Sequence, residues 1–242
     1  MKTIVRNSVE FERADQIDFK KLIVDIVEEK SRMGPVRILD VGGGQFPFLS
    51  PDEIPDNAEY VVCDISERQL EKCPDDYRNK FCFDICGTIP EEIGTFDIAF
   101  SKMLAEHVAS GERLYRNLFK LLNPGGVCLN HHPTLFAMPF VVNKLVPHGI
   151  AKRFVHFVFP ARRQNDSVFP AYYSWCTGLE FLELKRRRAI GFSEVGVIHQ
   201  YRHRYWRPFP IIRNIFGFMH RLARKLRLNL FSSFAVYYGI KG

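Results

Sequence analysis

No stretch of this 242-residue chain holds an apolar run near the ~20 residues that a bilayer-spanning helix needs. Residues 1–12 carry charges and no uninterrupted apolar segment, so neither a signal peptide nor an anchor is expected there. The six cysteines (Cys63, Cys73, Cys82, Cys86, Cys128, Cys176) form no C-x-x-C pair, and most sit in apolar runs, where thiols behave as small hydrophobes. They argue against a disulfide scaffold or a zinc ribbon and for reduced thiols in a cytoplasmic compartment. Repeats and low-complexity segments are missing too. The most uneven shortage is of acidic residues. Residues 1–148 carry 17 basic and 23 acidic side chains, a net −6, whereas residues 149–242 carry 17 basic and only 4 acidic, a net +13. A half so poor in carboxylates faces something anionic: a phosphate on a small substrate, a lipid headgroup or nucleic acid.

With 46% hydrophobic residues the chain can bury one substantial core, which favours a single elaborated α/β domain over residues 1–242. Residues 18–30 (DFKKLIVDIVEEK) place Phe19, Leu22, Ile23 and Ile26 at helical spacing. Gly34-Pro35 ends that helix. Residues 36–41 (VRILDV) then form the nearly unbroken apolar run of a strand covered on both faces. Similar runs recur at 60–63, 81–83, 96–100 and 127–129, with a clear helix at 114–122 closed by Asn123-Pro124-Gly125-Gly126. Strand and helix alternate as in a doubly wound parallel sheet. From residue 133 prolines and aromatics break the rhythm, which marks an inserted cap over 133–190 with a helix near 177–187. The sheet is expected to resume at 192–198 and finish at 234–240, with a long basic helix at about 211–227 between these two strands.

Residues 38–46 read ILDVGGGQF: a buried strand, an acid at its carboxyl end, then Gly42, Gly43 and Gly44. Such a turn brings bare backbone close to a ligand in the crevice where open α/β sheets bind cofactors. Twenty residues beyond Gly44, Asp64 ends the second strand with Ile65 beside it, placed to accept hydrogen bonds from ribose hydroxyls. Asp84 ends the next run and points to an adenine amino group, with Ile85 against the ring. A dinucleotide fingerprint would need a glycine where Pro47 stands; proline offers neither bare surface nor an amide for pyrophosphate.

These residues resemble the class I S-adenosylmethionine (SAM) dependent methyltransferases, in which an acid-x-Gly-x-Gly-x-Gly loop follows the first strand, an acid ends the second, and an Asp-plus-apolar pair follows the third. The resemblance spans residues 36–132. Asp40, Gly42 and Gly44 match the loop, but Phe46 replaces the third glycine, so that wall must be built differently. Residues 96–108 (FDIAFSKMLAEHV) look like the fourth strand and following loop of small-molecule members, including quinone O-methyltransferases with their similar Glu-His pair, and LLNPGGVCL resembles the turn into the fifth strand. The resemblance implies a Rossmann-like, mostly parallel seven-stranded sheet whose last strand is antiparallel, SAM as cofactor, and contacts from Ser101, Lys102 and Met103 to its methionine portion.

Methyl transfer from a sulfonium is an in-line displacement in which the protein contributes alignment and exclusion of water. An oxygen acceptor also gains from a general base. The candidates are His107, after the fourth strand, and His131 and His132, after the fifth. No metal-ligating cluster accompanies them.

In the second half, residues 211–227 (IIRNIFGFMHRLARKLR) put Ile211, Ile215, Phe218, Leu222 and Leu226 near one stripe and Arg213, Arg221, Arg224, Lys225 and Arg227 largely off it. Either the stripe packs on the sheet or it lies on an anionic membrane. Aromatics at 154–159 and 169–175, beside Arg153, Arg162 and Arg163, suit a lid over an apolar or lipid-linked acceptor, or the core of the cap. The run 185–188 (KRRR) ends an expected helix, where cations complement the helix dipole, and no nucleic-acid motif accompanies it. FPAYYSWCTG and HRYWRPFP loosely resemble methyltransferases of bacterial surface-glycan or lipid-linked sugar assembly. The expectation is methyl transfer to oxygen of a small-molecule, sugar or lipid-linked acceptor, with peripheral membrane contact and no nucleic acid. A cofactor-binding protein without catalysis and an RNA methyltransferase are the alternatives.

Overall fold

The computed structural model describes residues 18–136, 170–201 and 210–242, apart from the side chains of Pro210 and Ile212. The aromatic stretch 154–159 and Arg153, Arg162 and Arg163 lie outside the described residues, as do 1–17 and 202–209.

Helix α1 (Phe19–Ser31) starts where the Asp18 carboxylate accepts hydrogen bonds from the amides of Lys20, at 2.9 Å, and Lys21, at 3.4 Å. Its apolar residues Phe19, Leu22, Ile23, Ile26 and Val27 are all buried. Strands β1 (Val36–Val41), β2 (Ala58–Asp64) and β3 (Asn79–Cys82) follow, with one turn of helix, α2 (Glu67–Leu70), between the last two. Next come β4 (Phe96–Lys102), α3 (Gly111–Leu121), β5 (Leu122–Pro133), α4 (Glu180–Ile190), β6 (Glu194–Gln200), α5 (Pro210–Lys225) and β7 (Phe234–Ile240). Helix α3 begins three residues before its apolar run because the Ser110 hydroxyl accepts from the Arg113 amide. The Asn-Pro-Gly-Gly turn belongs to the start of β5, since Leu122 already pairs with Phe96 across a register shift.

The seven strands are ordered β3-β2-β1-β4-β5-β7-β6. β1 to β5 are parallel, and β7 runs antiparallel between β5 and β6. The parallel part is the doubly wound sheet that the alternating pattern predicts, and the antiparallel last strand is the one that the resemblance implies. One core, with α1, covers Ile38, Val62, Phe100 and Leu129; the other, with α3, covers Leu39, Val61, Ala99 and Cys128. The strand order reverses between β1 and β4, so a crevice opens above their carboxyl ends.

Two sequence readings are corrected here. Arg187, read only as a cation that complements the dipole at a helix end, is 1% exposed. Its guanidinium carbon lies 3.9 Å from the ring centroid of Tyr115 on α3 and 4.0 Å from that of Tyr237 on β7, and Nη1 donates to Glu183 Oε2 at 2.7 Å. Two distant tyrosines and a carboxylate one helical turn back offset the loss of water, and they fix α4 across α3 and the sheet. The α5 stripe does not pack on the sheet: Ile211, Ile215, Phe218, Leu222 and Leu226 are all exposed. Ala223 is buried instead, with Phe216, Gly217 and His220 half-buried, so a neighbouring strip of the helix faces the body.

Removing one member of a buried ion pair leaves the other charge uncompensated. Glu183→Gln should lower stability by about 3 kcal/mol and the melting midpoint by roughly 10 °C, whereas Glu183→Leu with Arg187→Met should recover most of the loss. Calorimetric unfolding of the three chains checks both.

Candidate cofactor crevice and catalytic face

At the end of β1 the chain turns through Gly42 (φ +79°) and Gly44 (φ +47°), a left-handed region in which a side chain is strained. A side chain would also crowd its neighbours: a Cβ on Gly42 would run into the Leu104 Cδ1 methyl, and one on Gly44 would sit 2.9 Å from Asp64 Oδ2, so those side-chain ends would have to move. The turn closes through the Phe46 amide donating to the Gly43 carbonyl at 2.9 Å, and the Phe46 ring points outward, 74% exposed. An ordinary residue replaces the third glycine there because its side chain leaves the turn.

Asp40 sits beneath this turn, 3% exposed, its Oδ2 accepting from the Phe48 amide at 2.8 Å and the Tyr60 hydroxyl at 2.7 Å. Burial pushes its pKa up to about 6 despite both hydrogen bonds. It supports the turn from below, and Tyr60, which sequence reasoning passed over as one more apolar strand residue, is its partner. Asp64 is half-buried at the carboxyl end of β2, with Oδ1 accepting from the Ser66 amide at 2.9 Å, and burial raises its pKa. Ile65 beside it is exposed. Asp84 is exposed just past β3 and caps its own turn, accepting from the Cys86 amide at 2.8 Å; Ile85 turns into the α3-side core, its carbonyl held by Asn117. The glycine turn, Asp64, Ile65 and Asp84 thus line the carboxyl ends of β1, β2 and β3, a bare backbone cradle flanked by carboxylates. That donor set fits an adenosyl group: ribose hydroxyls can donate to Asp64, and an adenine amino group to Asp84.

The other wall follows β4. Ser101 is buried and donates to Asn130 Oδ1 at 2.7 Å, Lys102 lies over the Phe48 ring at 4.7 Å, and Met103 takes a left-handed conformation (φ 57°) with its amide donating to the His131 carbonyl.

The three histidines separate clearly. His132 is fully buried and stacked on Tyr237 at 5.3 Å, with its pKa driven down to about 3 by desolvation. His131 lies between Phe19 and Phe234, its Nε2 3.2 Å from Gln200 Oε1, and burial lowers its pKa to about 4. His107 is one-third exposed, and its pKa too is lowered by burial. Its Nδ1 lies 2.9 Å from the Pro170 carbonyl, which can only accept, so Nδ1 carries the proton and Nε2 the lone pair. Beside it, 3.7 Å from Nε2, stands the buried carboxyl of Glu106, raised to about 8 by desolvation. Sequence reasoning noted the Glu-His pair without giving Glu106 a site role; the signal was an acid next to a candidate base in the loop after a strand. Among the described residues no group of three His, Cys, Asp or Glu could hold a metal ion.

Residues 39–130, from within β1 to within β5, match the family model of the methyltransferase domain. Solved methyltransferases share the fold around it. A phosphoethanolamine N-methyltransferase of Haemonchus contortus in complex with SAM is 16% identical over 86% of this chain and 49% of its own, with a TM-score of 0.51. The chain therefore spans about half the length of that enzyme. A SAM-dependent methyltransferase of Thermotoga maritima is 15% identical over 90% of this chain and 87% of its own (TM-score 0.52), and one of Archaeoglobus fulgidus is 15% identical over 92% and 94% (TM-score 0.50). No curated protein sequence matches significantly.

Because folded Asp40 keeps its proton up to about pH 6 while the unfolded chain releases it near 4, the folded state binds more protons in that window. Stability contributed at this site therefore falls as pH rises from 4 to 6, by about 3 kcal/mol, and is flat above. Urea midpoints of the native chain and Asp40→Asn across this range should diverge in that direction, with the variant lacking the decline.

Proposed function

We propose that this protein transfers a methyl group from SAM to a hydroxyl oxygen of a small-molecule, sugar or lipid-linked acceptor. The observation that carries the reading is the glycine turn facing Asp64 inside a segment that matches a methyltransferase domain. Gly42, Gly43 and Gly44 present backbone to the cofactor; Asp64 accepts from the ribose, Asp84 from the adenine, and Ile65 covers the purine. Ser101, Lys102 and Met103 border the methionine end. SAM supplies, when bound, both the methyl group and the sulfonium leaving group. What the chain must add is alignment, exclusion of water and a place for the acceptor's proton.

His107 suits that last task best. Its Nδ1–H is held by the Pro170 carbonyl, which leaves the lone pair on Nε2 of a ring one-third exposed on the loop after β4, and its lowered pKa keeps it neutral at physiological pH. Glu106, protonated below about pH 8, does not favour an imidazolium beside it, so His107 stays a proton acceptor. His131 and His132 are weaker bases held in packed positions, and they serve the walls of the site. The sugar or lipid-linked acceptor class is supported by the basic, aromatic composition of the second half and by its loose resemblance in sequence to glycan-assembly methyltransferases.

Isothermal titration with SAM, S-adenosylhomocysteine and NAD tests the cofactor. Binding of the SAM pair alone, weakened roughly 10- to 100-fold in Asp64→Ala, is the expected result; NAD binding, or none, would overturn it. With an acceptor in hand, His107→Gln should lower kcat about 100-fold or more while leaving SAM affinity unchanged. Since the neutral imidazole is the active form, activity of the native chain should hold level down to pH 6.5 and decline only below it. Tight SAM binding with no turnover on sugar and lipid-linked hydroxyls would instead favour a cofactor-binding protein without catalysis.

A further inference from the structure

β6 and β7 are antiparallel neighbours, and two residues suffice to join such a pair. This chain spends 33 residues (201–233) on the connection. β6 runs parallel to β5, so the excursion leaves from and returns to the carboxyl edge of the sheet, the edge that carries the cofactor crevice. Sheet closure does not require it. Its composition is extreme: residues 201–242 hold nine Lys or Arg and no Asp or Glu. Its helix turns Ile211, Ile215, Phe218, Met219 and Leu222 to the outside, with Arg213, Arg221 and Lys225 exposed alongside.

The exposed apolar surface of the rest of the molecule gathers on the same edge. Of sixteen large exposed hydrophobic residues among those described, only Met33 lies at the opposite edge. Phe46, Ile65, Met103 and Phe136 each follow the carboxyl end of a strand, and Phe181 lies in the first turn of α4, above that edge. An apolar surface gathered on one edge marks an interaction surface rather than the scatter of single residues usual on a monomer.

We propose that α5 and the apolar rim of the crevice dock this protein on an anionic phospholipid bilayer. An amphipathic helix with a basic flank and an outward apolar stripe lies in the plane of the headgroups, its stripe at the acyl boundary and its cations against lipid phosphates. Charge decides the occupant. A second copy would set one acid-free basic helix against another, a like-charge contact that costs affinity. Nucleic acid would satisfy the arginines and leave the apolar stripe in water. Only an anionic lipid surface answers both features, and docking in this orientation sets the crevice mouth against the membrane.

Vesicle sedimentation of the intact chain tests this without cofactor or turnover, so its outcome is independent of the methyl-transfer reading. On phosphatidylcholine vesicles containing about one third phosphatidylglycerol the protein should bind, with release in high salt, and it should not bind phosphatidylcholine alone. Arg221→Gln with Lys225→Gln should weaken binding roughly 30-fold, and Phe218→Ser with Leu222→Ser should reduce it to background, each with an unchanged circular dichroism spectrum. On the native chain, hydrogen exchange should slow on vesicle addition within 210–231, which keeps the test valid should a variant fold poorly. No binding to anionic vesicles, binding unaffected by both pairs of substitutions, or in their place a dimer lost in the stripe variant or an RNA complex indifferent to it, would overturn the proposal.

Discussion

The cofactor crevice depends on a carboxyl group that never reaches it. Asp40 lies under the glycine turn, where the end of β1, the Phe48 amide and the Tyr60 hydroxyl of β2 converge on one buried oxygen. Desolvation penalises its charge, and two donors only partly compensate, so the group persists because it ties three segments whose backbones must hold a fixed spacing. Gly43 leaves no slack: a Cβ there would lie 2.7 Å from the same oxygen. The left-handed Gly42 and Gly44, and hence the approach of bare backbone to Asp64, follow from that anchor.

A second buried charge organises the far side. Arg187 joins α4 to α3 and β7 through two aromatic rings, and β7 in turn pairs with β5, which carries His131 and His132. The Tyr237 ring that meets the guanidinium also stacks on His132. Withdrawn into this packing, His132 is neutral and rigid, while His107, on the loop after β4, keeps an accessible edge. Two histidines adjacent in the chain and one distant from them thus differ in exposure and basicity through burial and through the carbonyl that fixes a tautomer, not through their own chemistry.

How much of this was legible in the sequence varies with the reach of the interaction. Buried parallel strands read as short apolar runs, and the glycine turn with Asp64 twenty residues on is a local signal, so the sheet and the crevice emerged directly; β7 falls at 234–240 in both. Boundaries set by one side chain, such as the Ser110 cap, or by one cross-strand pair, such as Leu122 with Phe96, shifted by a few residues. Partners far apart in sequence were not legible. Nothing in KRRR says that its third residue meets Tyr115 and Tyr237, and nothing in the α5 periodicity says which strip of the helix faces the body. Periodicity reports that a helix is two-sided; what covers each side is decided by elements elsewhere in the chain.

The position of β7 also bears on how the molecule is made. β6 leaves the ribosome first, yet among the described strands it pairs only with β7, which must insert between it and β5. At ~5–20 residues per second, the 33-residue excursion and the seven residues of β7 take about 2–8 s to emerge. Throughout that interval β5 presents a bare edge and β6 has no ladder at all, and the exposed apolar helix is completed before β7 emerges. The nascent chain is therefore most prone to mispairing just before the sheet closes, and a factor that shields α5 during those seconds would protect the sheet as much as the helix.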